Sequence, residues 1–115
     1  MIARIWHGWT TPQNADAYET LLRERIFVDI AARQIQGYLG IQLLRRELEE
    51  EVEFTTIMWF DAVDNVKDFT GREDYQEAHV PDAARTLLSR FDARASHSTL
   101  RHVLAYPQPK PDQDA

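Results

Sequence analysis

The chain has 115 residues, no cysteine and a formal net charge of −6. That length suits one domain, which at this size buries about two-thirds of the surface its unfolded chain exposes; the 43% hydrophobic and 28% charged residues are an ordinary globular balance. The missing cysteine excludes disulfides, thiolate chemistry and Cys-type zinc sites, and the acidic balance, with no Lys/Arg run longer than two, argues against a nucleic-acid footprint.

The first element is "IARIWHGW", residues 2–9, a run of strand formers without proline. Arg4 and His7 interrupt its apolar part, so it reads as a strand and not a signal peptide. No apolar run approaches the ~20 residues needed to span a bilayer, and a cytoplasmic location is expected. A helix should follow. Thr11 can cap it and Pro12 suits its first position. Tyr18, Leu22, Ile26 and Ile30 then recur every four residues, one apolar face running to about Arg33. Gly37 ends the connection.

Residues 38–48 and 52–61 read as two strands joined by the charged turn "EEE", an antiparallel hairpin. A second helix carries Val63, Val66 and Phe69, with Asp61 or Asp64 as its cap and Gly71 as its stop. A short helical piece is expected to carry Tyr75 and His79. Another, over 82–90, turns Ala84, Leu87, Leu88 and Phe91 inward. The last strand is placed at 93–104. The tail "AYPQPKPDQDA" holds three prolines and is expected to be extended or disordered.

This order predicts an α+β fold of ferredoxin-like plan, β-α-β-β-α-β, with one four-stranded antiparallel sheet. Alternation puts Ile2, Arg4, Trp6 and Gly8 on one side of the first strand and Ala3, Ile5, His7 and Trp9 on the other. In the third strand Thr55, Ile57 and Trp59 oppose Phe54, Thr56, Met58 and Phe60. Both faces carry large apolar groups, unlike a sheet with one face in water. A second copy of the chain is the simplest cover for the face without helices, so a homodimer enclosing a barrel-like space is expected.

Over about residues 1–104 the chain resembles the antibiotic biosynthesis monooxygenase family of dimeric α+β barrels. The resemblance is carried by "MIARIWHGWTTPQNADAY", "GYLGIQLLRR", "TIMWFDAVDNVKDF" and "LLSRFDARASH", which are matches of pattern and not one signature motif. It implies a small oxygenase that oxidises an aromatic or quinol-like substrate with O₂ and without a cofactor. The family also contains haem-degrading enzymes, which makes haem the alternative ligand. Those relatives carry a tryptophan on the second helix, a haem-ligating histidine ten positions later and an asparagine on the first strand. Here Phe69 stands at the tryptophan position, His79 follows ten residues later within "YQEAH", and His7 falls near the asparagine. One of the three is kept.

On these grounds His79 and His7 are the candidate bases, since histidine titrates near neutral pH, and Arg4 or a tyrosine is the candidate oxyanion partner. Trp6, Trp9, Trp59, Phe69 and Tyr75 are candidate walls for a flat ligand. Each has a plainer reading: a turn histidine for His79, a strand-edge histidine for His7, packing for the aromatics, and an arginine reaching to solvent for Arg4. His97 and His102 lie an odd number apart on one expected strand, on opposite faces, and cannot share a metal there. No metal site is expected. A third reading is a non-catalytic dimer that binds a small hydrophobic metabolite.

Overall fold

The computed structural model describes residues 1–105. The expectation for the proline-rich tail therefore falls almost wholly on 106–115, outside the described residues.

β1 (Ile2–Thr10) runs through the middle of the sheet. On one side it pairs antiparallel with β3 (Val52–Phe60), in unbroken register from Ile2 opposite Phe60 to Thr10 opposite Val52. β2 (Tyr38–Glu47) pairs antiparallel with β3 on its outer side, with one register shift between Tyr38 and Gly40. The tight 49–51 turn closes through the Leu48 N–H bond to the Glu51 carbonyl, 2.8 Å. The expected hairpin is present.

The fourth strand position differs from expectation. In place of one strand over 93–104, two short strands lie along the free side of β1: β4 (Leu88–Phe91) beside Thr10–Gly8 and β5 (Ser96–Thr99) beside Ile5–Ile2. The sheet order is β2-β3-β1 with β4 and β5 sharing the last place, which is the ferredoxin-like order. The break has a physical cause. Residues 93–95 turn their backbone toward another partner, Ala78 N–H donating to the Ala93 carbonyl (2.9 Å) and Ala95 N–H to that of Gln76 (2.7 Å). Segment 71–81 is thus an irregular strap, held by this lacing and by the Arg94–Asp74 ion pair at 2.9 Å, and not the expected short helix. The helix expected over 82–90 shrinks to a single turn, α4 (Asp82–Arg85), because Leu88 and Phe91 enter the sheet.

The first helical element is α1 (Ala15–Leu21), a π-helical turn over Leu22–Ile26, and α2 (Phe27–Ala32). Thr11 closes the turn before it by accepting the Asn14 N–H at 3.3 Å, so the helix begins three residues later than its sequence suggests. α3 (Val63–Thr70) ends at Gly71, whose φ of 66° is left-handed. Its cap is neither Asp61 nor Asp64. Asn65 Oδ1 accepts the Ala62 N–H (3.1 Å), and Asn65 Nδ2 donates to the Gln36 carbonyl (2.9 Å). That side chain fills the space beside Gly37, where a Cβ would collide with its amide group.

All helices cover one sheet face. Phe54 and Val52 of β3 pack there against Tyr18, Leu22, Val80 and Ala84, with the Tyr18 and Phe54 rings edge to face at 4.9 Å. Met58 and Phe60 pack against Val66 and Phe69. The strand register keeps the split that alternation predicted, and the helices decide which set they cover: Ile2, Arg4, Trp6 and Gly8 belong to the covered face, and Ala3, Ile5, His7 and Trp9 to the uncovered one. No helix among the described residues is long and apolar enough to cross a membrane.

Candidate functional site

Between the helical face of the sheet, the α1–α2 helix and the 71–81 strap lies a cleft. Arg4, Trp6, Thr56 and Met58 form its floor; Tyr18, Leu22, Ile26, Phe27 and Ile30 form one wall; Phe69 and the strap residues Ala78 to Pro81 form the other. The π-helical turn Leu22–Ile26 lies in the middle of the helical wall. Ile26 and Phe27, neighbours in sequence at the end of this turn, both line the cleft. The cleft has a cavity volume of about 100 Å³, and about 600 Å³ of empty space when the open mouth is counted. That cavity volume is of the order of the ~150 Å³ cavity that holds one benzene ring.

Arg4 gives the cleft its chemistry. The residue is 6% exposed, on the central strand, within an apolar enclosure. Its Nη1 donates to the Tyr75 carbonyl at 2.6 Å and to His97 Nε2 at 3.0 Å, and its guanidinium lies 5.7 Å from the Phe69 ring centre. No carboxylate among the described residues pairs with it; the nearby Asp74 and Glu77 are engaged by Arg94 and Arg72. Burial lowers its pKa from the ordinary value, yet a guanidinium stays charged at any working pH. The arginine therefore does not reach to solvent. It presents an uncompensated cation to a mostly apolar cavity.

His97 sits opposite Arg4 in the β1–β5 pairing, with Tyr75 edge-on to its ring at 5.0 Å. Burial first, and then the charge of Arg4, pushes its pKa down to about 4. It is neutral at pH 7. Because Nε2 accepts from Arg4, the ring proton is on Nδ1, which is buried with no partner among the described residues. Nothing in the sequence marks His97 as part of this cluster, since its cross-strand neighbour is not visible there. Tyr18 also escapes a sequence reading: it belongs to the helix's apolar stripe and reads as core. Its ring is buried and lines the cleft, and burial raises its phenol pKa, so it remains a protonated donor.

The candidate residues divide between the two sheet faces. Arg4, Trp6, Phe69 and His79 come together at the cleft. His79 is at the exposed rim, its Nδ1 3.5 Å from Arg72 Nη2. Tyr75 stands behind Arg4, contributing its carbonyl rather than a wall. His7, Trp9 and Trp59 lie on the uncovered face and do not line this cleft, because their odd places in strands paired in unbroken register turn them away from the helices. There His7 Nδ1 is 2.7 Å from Asp92 Oδ2 and its ring stacks on Trp9 at 5.9 Å, while Trp59 Nε1 donates to Gln42 Oε1 at 3.1 Å. Among the described residues no three His, Asp or Glu side chains gather as a metal ion requires.

No family model matches the sequence, and no curated protein matches it significantly. Solved structures do match. A dimeric ferredoxin-like protein from an uncultured marine organism superposes with a TM-score of 0.65 at 9% identity, over 91% of this chain and 97% of that one. The haem degrader MhuD of Mycobacterium tuberculosis, with two haems in its active site, gives 0.60 at 16%, over 91% and 100%. A point variant of SnoaB of Streptomyces nogalater, a cofactor-independent oxygenase, gives 0.57 at 17%, over 91% and 98%. At such identities the likeness speaks for architecture, and the chain has the ferredoxin-like α+β fold found in antibiotic biosynthesis monooxygenase-type proteins.

Proposed function

We propose that the chain is a small oxygenase that takes an aromatic, quinol-like substrate as its anion and oxidises it with O₂ without a resident cofactor. The observation that carries this reading is Arg4, a buried cation with no carboxylate partner among the described residues, on the floor of an apolar cleft. A buried charge is costly unless compensated, and an anionic ligand oxygen supplies the compensation. One ring of a flat substrate fits the cavity, with its acidic edge at Arg4 and the rest in the mouth beside His79. In the anion, charge develops on the oxygen next to the guanidinium, which holds it in a site poor in water. His79 is the titratable group at the rim and takes the proton. The electron-rich ring carbon then adds O₂ and recovers the proton from His79 to give a hydroperoxide. Loss of water leaves a new carbonyl, so one atom of O₂ enters the product and the other leaves as water.

The homodimer belongs to the same proposal. Ile5, Ile57, Trp59 and Leu44 share the uncovered sheet face, and Leu44 is 54% exposed. A second copy packed there covers them. His7 and Asp92 then lie toward that interface and are not the catalytic base.

Haem is the second reading, favoured by His79 at the cleft rim. The residues fit it poorly. The cavity volume is well below the ~300 Å³ at the lower end of ordinary ligand pockets, and a macrocycle would have to sit in the mouth. A non-catalytic metabolite binder would use the same cleft without turnover. Oxygen uptake with anthrone separates these readings. The parent should consume O₂ with anthrone well above the buffer rate, and Arg4→Met and His79→Ala should each lose at least about tenfold. No uptake above buffer, or an Arg4→Met rate equal to the parent's, overturns the proposal. A Soret band on haem addition that depends on His79, without anthrone oxidation, makes haem the better reading.

A further inference from the structure

We infer that His97 is the positioning residue of this cleft: as a neutral acceptor it fixes the Arg4 guanidinium without cancelling its charge, so the cleft selects anionic aromatic ligands over neutral ones of the same shape. This rests on the anion-binding reading of Arg4 above and adds to it the residue that makes the selection possible.

Arginines in protein interiors are ordinarily held by carboxylates, which fix the fork and neutralise it together. Here the fixing and the neutralising are separated. The two acceptors on Nη1 are a backbone carbonyl and an imidazole nitrogen, and neither carries a charge. The strand register makes the second one unavoidable, because Arg4 and His97 face each other across β1 and β5 on the helix-covered side. Tyr75 closes the cluster from the strap, its carbonyl on Arg4 and its ring edge-on to His97. Two further cations stand close by: Lys67 lies 5.7 Å from the Tyr75 ring centre and Arg33 lies 5.2 Å from that of Phe69. The arrangement has a cost. The His97 Nδ1–H is buried without a partner among the described residues, a defect that a leucine or valine at this place would avoid. An acceptor of ordinary strength and no charge is what the histidine contributes in return.

The test is isothermal titration of the full chain at pH 7.5 with two probes of equal shape, 2-naphthoate and 2-naphthamide. The parent should bind the carboxylate at least about tenfold more tightly, as for a hydrogen bond to a charged group. His97→Gln places an uncharged oxygen acceptor on the same strand position and should keep the preference. His97→Glu places a carboxylate there, pairs with Arg4, and should bring the ratio near one while naphthamide binding persists. If His97→Glu keeps the parent's preference, His97 has no positioning role and the Arg4 reading stands. If the parent shows no preference, or binds neither probe, both readings fail. A measurement on the parent alone guards against variants that do not fold. Ring ¹⁵N NMR should show His97 at pH 7 as the neutral tautomer protonated on Nδ1. A cation, or a proton on Nε2, overturns the inference.

Discussion

Acidification should loosen the Arg4 cluster before it disturbs the surface ion pairs. In the folded chain His97 has its pKa pushed down from 6.5 to about 4, by burial and then by Arg4. The unfolded chain takes up a proton on this residue near pH 6.5, and the folded chain resists until about pH 4. Stability from this site is therefore fully present above pH 6.5 and is lost progressively as the pH falls toward 4. At about 1.4 kcal/mol per tenfold in proton affinity, the gap sets a ceiling of about 3 kcal/mol. Partial exposure of the ring to solvent reduces the expected loss to about 1–2 kcal/mol. The paired carboxylates Glu51 and Asp74, whose pKa values are lowered by hydrogen bonds from Arg90 and Arg94, contribute with the same sign at lower pH. A variant that cannot titrate at position 97 cancels them. Urea unfolding of the parent and of His97→Gln at several pH values from about 7.5 to about 4 isolates the effect. The parent should lose about 1–2 kcal/mol more than the variant across that range. A difference between the two that stays constant with pH refutes the account of His97 as a neutral group held against a buried cation.

Three further outcomes follow from the packing. Gly8→Ala puts a Cβ 2.9 Å from Leu88 Cδ2 and 3.2 Å from the Trp6 ring, and should cost about 1–3 kcal/mol in thermal or urea unfolding; an unchanged midpoint would mean that Leu88 moves aside freely. Gly37→Ala meets both a φ of +78° and the Asn65 side chain, and should cost more than Gly8→Ala; Asn65→Ala added to it should recover part of the loss, and strict additivity of the two would refute the steric cause. Leu44→Glu places a charge in the uncovered sheet face and should shift the mass found by light scattering at micromolar concentration from two chains to one. A parent that is already monomeric, or a variant still dimeric, removes that face as the interface.

Much of this molecule is readable from its residues, and the readable parts share a cause. β1, β2, β3 and α3 are long or strongly patterned, and the grouping of Arg4 with Trp6 on one face follows from alternation alone, while which face the helices cover does not. From residue 71 onward the reading fails, because "LLSRF" is too short an apolar run to distinguish strand from helix by periodicity. What decides it is the free side of β1, a partner far away in sequence. The same remoteness hides the site. His79 and Phe69 are legible through local spacing. The Arg4–His97 contact exists only across a strand pair, and the placement of His7 and Trp9 on the other face matters only once the cleft is known to lie under the helices. The π-helical turn is hidden differently: Tyr18, Leu22, Ile26 and Ile30 keep an i, i+4 pattern that fits an ordinary helix, and nothing in that pattern announces an extra residue at Leu22–Ile26.

The outer strand β2 carries a consequence for how the chain behaves in a crowded solution. Its far side is an open row of backbone donors and acceptors, the kind of surface on which chains grow into ribbons. Here the row is interrupted twice. The shift between Tyr38 and Gly40 breaks its regularity at one end. At the other, Arg45 is tied to Asp16, Glu19 and Glu47 at 2.6–3.1 Å, and Arg46 to Glu53 at 3.2 Å. An incoming strand that continued past Leu44 would meet charged side chains on both faces. Only Ile41 to Leu44 remains regular and uncharged, and a register break and charged side chains are devices that blunt a sheet edge, so this sheet resists polymerising along an edge that no other described element covers.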